Sequence, residues 1–412
     1  MRRFTPIVSF LVVLSIFAAA GSLAVACATE VLSPTHARAV DDAIRAEMER
    51  QQAVGAAVGV LREGRVVYLK GYGHADREAG VPVTEKTLFR WASISKTLTA
   101  VAAMQLVEQG VLDLDADVRS YVPEFPDKGV VITPRQLLCH QGGIVHYSNG
   151  RVIRTRREYD SPHPFEDVVL ALDTFKESPL ISPPGTKDSY TTHGFILLSA
   201  VVERAGGEKF ADQVRRRIVE PLGLTTLRPD YQWESIDHRA VGYRKRRGRI
   251  VRSIDTDVSW KLGGGGYLSS IGDMAAYAAG LINGRLVSSE TEQAMWTVQK
   301  TSDGRVTGRG LGFFLGSRDG AMEVSHNGGQ EKTRTRLVIY PREGNGIVFM
   351  TNSENTNPTR FVEVIQRALD ETPGDMLVGP GPPDSGESSR CRPIRPRRPC
   401  LPLRLRHRRC AR

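Results

Sequence analysis

Between its two ends, this 412-residue chain has almost no cysteine. Of five thiols, Cys27 lies near the N-terminus and Cys391, Cys400 and Cys410 near the C-terminus, so only Cys139 falls between. One thiol makes neither a disulfide framework nor a zinc cluster, and stability must rest on an ordinary core. Past Ala26 no apolar run is long enough to cross a bilayer, which excludes a multi-span membrane protein. No period of about 20–50 residues is visible, which excludes solenoids and propellers. Acid is missing from Arg390 to Arg412, a stretch that holds ten arginines. Those ten account for the whole net charge of +10 and leave residues 1–389 formally neutral. Nucleic-acid binding by the body of the chain therefore has little support. The four glycines within Lys261–Ser270 are not followed by the lysine of a phosphate loop. The acids around Asp255 and Asp257 lack the spacing of a calcium loop. Neither a metal nor a cofactor is expected.

Glycine, by contrast, is plentiful: 40 residues, against a usual share of ~7%. At the N-terminus, Arg2 and Arg3 precede an apolar run from Ile7 to Ala26, then the polar Thr29 and Glu30. That is the order of a secretory leader, and Ala24-Val25-Ala26 fits a cleavage site, giving a leader over residues 1–26. Cys27 directly after it also suits a lipoprotein site, and about 20 apolar residues can serve as an uncleaved anchor. Export is expected on each count, to the periplasm, the medium or a membrane held through the N-terminus. Residues 371–412 lose all periodicity and are Pro/Arg-rich, which predicts a disordered tail without a catalytic role.

The body reads as mixed α and β. Ala37, Val40, Ile44 and Met48 predict a helix over Pro34–Gln52. Two β-rich runs about Glu63-Gly64 predict a hairpin. Helix returns from Ile94 to Gln109, and Thr133-Pro134 opens a short helix through His140. Residues roughly 110–285 read as a mainly helical insert with a β-like patch near 239–253. Strand signals return in "LGFFLGS", "AMEVSH", "TRLVIY" and "GIVFMTN", and Asn357-Pro358 starts a last helix to about Asp370. The expected class is α+β, with an antiparallel sheet built from N- and C-terminal strands around the insert.

Three clusters carry chemistry. Ser93 and Lys96 sit three apart at the head of a predicted helix, so they share a face, and Ser95 does not. A serine hydroxyl needs a base to become a nucleophile, and Lys96 serves if burial and the helix N-terminus keep it neutral. Alone the pattern is weak, since a chain this long holds on the order of one by chance. Tyr190, at the mouth of the helix "HGFILLSAVVERAGG", offers a phenol for proton transfer, although a single tyrosine is more often a core or rim residue. His326 precedes Gly328 and Gly329 after a strand, where exposed backbone N–H groups suit an oxyanion. His140, at a helix end, reads as structural.

The ordered blocks "FRWASISKTLTA", "ITPRQLLCHQGGIVHY", "PPGTKDSYTTHGFILL", "GGGGYLSSIGDM" and "SHNGG…LVIYPREGNGIVFMTN" together resemble the serine beta-lactamase and penicillin-binding-protein superfamily. The resemblance spans roughly residues 37–370 and is nearest to the class C-like branch, with its esterases, D-aminopeptidases and LACTB-type serine hydrolases. It implies Ser93 as the acylated nucleophile, with Lys96 and Tyr190 sharing the role of base. It also implies an oxyanion hole from the backbone N–H groups of Ser93 and Gly329. Tyr190 matches the tyrosine of the family's Y-x-N element, and His326 stands where the beta-lactamases carry the lysine of K-T-G. Thr192 replaces the asparagine of Y-x-N, a substrate-contacting position. Both departures favour an esterase or peptidase acting on a small-molecule or peptide substrate. A D,D-carboxypeptidase or beta-lactamase is the rival enzyme, and a non-catalytic peptidoglycan-binding or scaffold protein is the rival from another class.

Overall fold

The computed structural model describes residues 30–379. The leader, Cys27 and the basic run from Arg390 lie outside the described residues.

Helix α1 (Pro34–Gln51) starts where predicted because Ser33 accepts the backbone N–H of His36 and Pro34 occupies the first turn. The hairpin follows as β2 (Gly55–Arg62) and β3 (Arg65–Asp76), turning at Glu63-Gly64. Its partners come from the far end of the chain: β10 (Phe314–Arg318), β11 (Ala321–Gln330), β12 (Thr333–Tyr340) and β13 (Asn345–Thr351). With β4 (Val81–Pro82) they form one seven-stranded antiparallel sheet in the order β10-β11-β12-β13-β2-β3-β4.

The sheet is buried on both faces, which explains the near-continuous apolar runs of β2 and β13. Val58, Val60 and Phe349 pack with Val40 and Ile44 of α1 and with Phe361 and Ile365 of α10 (Pro358–Glu371). Phe349 stacks on Phe361 with ring centroids 4.3 Å apart. On the opposite face, Ala57, Val348 and Met350 meet Met274 and Ala275 of α8 (Ile271–Ile282). Alternate residues thus serve two helical layers, as the two-residue period of a strand requires.

The long excursion between β4 and β10 differs from the expected helical insert. It begins with β5 (Phe89–Arg90) and α2 (Ser95–Glu108). Residues 111–191 then hold a single short α-helix, α3 (Pro134–Leu138), among 3₁₀ turns and irregular chain. A reciprocal pair fixes the start of α3: Thr133 accepts the N–H of Gln136, and the Gln136 side chain accepts the N–H of Thr133. Longer helix resumes only with α4 (Thr192–Gly206), followed by α5 (Phe210–Val214) and α6 (Glu220–Leu222). The β-like patch is a hairpin, β7 (Tyr243–Arg246) and β8 (Arg249–Arg252). A small sheet pairs β5, β9 (Tyr267–Ser269) and β6 (Arg228–Pro229) just before the Ser93 turn. Helices α7 (Leu262–Gly265) and α9 (Ser289–Met295) complete the excursion. Because α8 packs on the sheet, it belongs to the sheet layer, and the insert ends sooner than residue 285.

The tail boundary also differs. Residues past Glu371 do not leave the fold at once: β14 (Leu377–Val378) pairs with β1 (Val31–Leu32), and Met376 accepts the N–H of Ser33. The folded body therefore includes the chain past Glu371 through Val378. Among the described residues no helix is long and apolar enough to cross a membrane.

Candidate active site

Ser93 lies in a 3₁₀ turn (Ala92–Ile94) that leads directly into α2. Three structures hold this turn. Asp230 pairs with the preceding Arg90 at 2.5 Å in a buried ion pair, and the Trp91 indole N–H donates to Ser269 at 2.7 Å. From β12, Thr333 and Thr335 donate their hydroxyls to the carbonyls of Arg90 and Trp91 at 3.0 and 2.9 Å. Ala92 sits at φ +48°, a left-handed conformation unusual for a residue with a side chain. A strained turn presenting a hydroxyl at a helix mouth is a feature of functional sites.

Lys96, in the first turn of α2, is completely buried. Its Nζ lies 3.1 Å from Ser93 Oγ, 3.2 Å from Thr192 Oγ1 and 2.6 Å from the Gly264 carbonyl. No carboxylate compensates it among the described residues. Burial, reinforced by the charge of Lys261, pushes its pKa well below the usual lysine value. A neutral amine beside a serine hydroxyl can accept that hydroxyl's proton.

Tyr190 faces Lys96, whose Nζ lies 5.0 Å from the ring centroid. Burial pushes the phenol up, and the nearby Ser93 hydroxyl offsets only part of that rise. His140 positions this segment. Its Nδ1 accepts the N–H of Thr191 at 3.2 Å, its carbonyl accepts the N–H of Ser189 at 2.9 Å, and its ring packs 4.4 Å from Tyr190. The expected structural role of His140 is thus the placement of the loop that carries Tyr190.

His326, on β11, lies 6.4 Å from Tyr190 between ring centroids, with Nδ1 2.7 Å from the Asn327 carbonyl. Burial, above all, lowers its pKa to about 3. It is therefore neutral throughout the physiological range and carries no charge with which to hold a carboxylate. β10 pairs with β11 only as far as Ser325, so His326–Gln330 present a free strand edge toward the Ser93 turn.

Two expected substrate contacts change place. Thr192 is buried, and its hydroxyl is engaged by Lys96 instead of facing the edge of β11. Its short side chain lets α4 seat close to α7, where a Cβ on Gly264 would come within 2.7 Å of Thr192. Gly328 points inward under the nucleophile turn. A Cβ there would lie 2.0 Å from Thr335 Oγ1 and 2.4 Å from the Trp91 carbonyl, both of which are already bonded to each other. Gly329 lies on the alternate face, where a Cβ would meet the Arg334 side chain at 3.4 Å. Gly328→Ala is expected to push β11 off the turn and to lower stability by about 1–3 kcal/mol. Urea unfolding would show this, and an unchanged midpoint would mean that the two segments are not clamped together.

Sequence reading missed His146 and His193. His146 Nδ1 accepts the N–H of Thr192 at 3.1 Å, while His193 bonds the Val145 carbonyl and stacks on Phe175 at 4.6 Å. Burial lowers both to about 4. Both lie inside the quoted blocks, but a histidine there carries no signal of its own until the loop and helix meet. Arg309 was missed too; it reaches from the segment before β10 to within 5.7 Å of the Tyr190 ring and pairs with Asp188 at 3.2 Å.

A family model described as beta-lactamase matches residues 40–371. The mitochondrial serine beta-lactamase-like protein LACTB of Bos taurus is 30% identical over 319 residues, covering 60% of this chain and 57% of that protein. Esterase EstB of Burkholderia gladioli is 34% identical over 186 residues, covering 43% of this chain and 47% of the esterase. Each match thus spans only about half the length of the curated relative. The structure of the octameric penicillin-binding protein homologue from Pyrococcus abyssi superposes with a TM-score of 0.69 at 25% identity, covering 83% of this chain and 79% of that one.

Proposed function

The chain belongs to the beta-lactamase family of serine hydrolases, and from that premise we propose that it cleaves an ester or amide through an acyl-enzyme on Ser93. The observation that carries this is the buried Lys96, which has no carboxylate partner among the described residues and lies 3.1 Å from Ser93 Oγ. In the first step the Ser93 oxygen forms a bond to the substrate carbonyl carbon, and its proton passes to the Lys96–Tyr190 pair. The backbone N–H groups of Ser93 and Gly329 receive the oxyanion, a contribution typically of about 3–4 kcal/mol per donor. Tyr190 returns the proton to the leaving alcohol or amine as the acyl bond breaks. Water then attacks the ester by the reverse route and frees Ser93.

An esterase or peptidase is favoured over a beta-lactamase or D,D-carboxypeptidase. Thr192 is spent on Lys96, and the neutral His326 cannot replace a permanently charged lysine. Export rests on the leader pattern of residues 1–26.

Mass spectrometry of the intact, leaderless protein tests the reaction type. Fluorophosphonate is expected to add once, at Ser93, and penicillin to leave no lasting adduct. A stable penicillin adduct would favour the carboxypeptidase. No adduct with either reagent would favour the non-catalytic alternative.

A further inference from the structure

A cavity of about 700 Å³ opens beside Gly329, and Trp260, Lys261, Gln330 and Arg334 are among the residues that line it. Lys261 is only 8% exposed. Its ammonium lies 5.4 Å from the centre of the Trp260 ring and has neither a hydrogen bond nor an ion pair among the described residues. The Gln330 side-chain amide nitrogen is buried and also lacks a partner. Arg334 gives Nη1 to the carbonyls of Gln330 and Thr333, at 2.8 and 2.7 Å. Glu331 and Glu354 also line the cavity. Glu354 accepts the N–H of Lys332 at 2.9 Å, Glu331 is exposed, and neither carboxylate comes within 4 Å of Lys261 Nζ.

Buried donors are almost always satisfied, and a lysine more than nine-tenths buried that lines a cavity with no partner calls for an acceptor from outside the chain. An ammonium calls for an anionic one. The cavity also has a definite orientation toward the nucleophile. Tyr190, which would protonate the leaving group, faces Phe314 and Arg309. Neither of these lines the cavity, which lies on the Gly329–Gln330 side of the turn. A substrate whose leaving group sits against Tyr190 would direct its acyl part into the cavity.

We propose that this cavity receives the acyl portion of the substrate, and that this portion carries a carboxylate held by Lys261. The proposal rests on the acyl-enzyme reading above. It places the specificity charge on α7's leading edge, because the strand position taken by His326 is neutral.

The test compares kcat/KM for p-nitrophenyl hydrogen adipate and for p-nitrophenyl hexanoate, which differ in the terminal carboxylate. The wild-type protein is expected to favour the acidic ester by on the order of tenfold to a hundredfold, the range of a hydrogen-bonded charge. Salt should weaken that preference. Lys261→Met is expected to bring the ratio close to one, and Lys261→Arg to retain most of it. The ratio cancels any effect of the substitution on Lys96, and the wild-type ratio needs no variant to fold. Hydrolysis of the hexanoate with no preference for the adipate would overturn the carboxylate site alone, as would a preference that survives in Lys261→Met. Failure to hydrolyse either ester, with Ser93 unlabelled by fluorophosphonate, would overturn the acyl-enzyme mechanism beneath it.

Discussion

Ser93→Ala is expected to lower kcat/KM for a p-nitrophenyl ester by on the order of 10⁵, to the level of whatever catalysis the oxyanion donors and binding supply by themselves. Lys96→Met is expected to cost about 10²–10⁴, the usual range for a positioned base. The two losses should not add, because one residue activates the other and neither has a role without its partner. Stability should separate them from ordinary core damage. Lys96 is a buried amine with no counter-charge among the described residues, and Met is of similar length and apolar. Its thermal midpoint should therefore hold or rise, whereas a destructive core substitution lowers it. If Ser93→Ala keeps wild-type turnover, another nucleophile does the work. If Lys96→Met keeps it, Tyr190 alone is the base.

The second large effect is acid lability. Four buried histidines surround the site, and burial holds all of them below the usual value: His326 at about 3, His146 and His193 at about 4, and His140 lower than normal by a wide margin. In the unfolded chain each titrates near 6.5. Between that pH and the folded values, the unfolded state binds more protons, so stability falls as pH falls. From pH 6.5 to 5.5 each histidine contributes a loss of about 1 kcal/mol. Glu292 acts in the opposite sense, since burial raises it to about 7, and because it is only half buried it returns at most about 1 kcal/mol over the same window. The net expectation is a loss of about 3 kcal/mol, a large share of the stability of an ordinary domain. Urea midpoints at pH 7.5, 6.5 and 5.5 would measure it, and His193→Gln should flatten the slope by one histidine's share. A midpoint independent of pH over this range would show that these rings stay neutral for no energetic reason, or reach solvent.

Much of the fold was legible because local rules and tertiary demands agree. The Ser33-Pro34 start of α1, the Thr133-Pro134 start of α3 and the Glu63-Gly64 turn are each set by neighbours in sequence. The two-period alternation of β2 and β13 was visible as apolar runs, although which helix covers which face was not. Two places misled. The stretch from 111 to 191 is held by turns, histidine hydrogen bonds and packing against α4, none of which leaves a period. The chain after Glu371 looked featureless, yet Met376 to Val378 dock by backbone hydrogen bonds that ask little of side-chain identity.

At the site, the spacing of Ser93 and Lys96 and the order of the motif blocks followed from the chain alone, because one turn of helix fixes which side chains can meet. The state of those groups did not. Lys96 is depressed by burial under α4 and α7, His326 is neutral because β10 and Tyr190 enclose it, and Thr192 turns to Lys96 because Gly264 leaves room for nothing larger. Gly328 reads as a substrate-edge glycine until its missing Cβ is seen against the Trp91 carbonyl. Lys261 and Gln330 lie 69 positions apart in sequence and meet only in the cavity beside Gly329. Sequence thus determined which chemical groups are present and which are one helical turn apart. Tertiary structure decided their charge and partners, because desolvation depends on what packs around a group, and those neighbours come from distant parts of the chain.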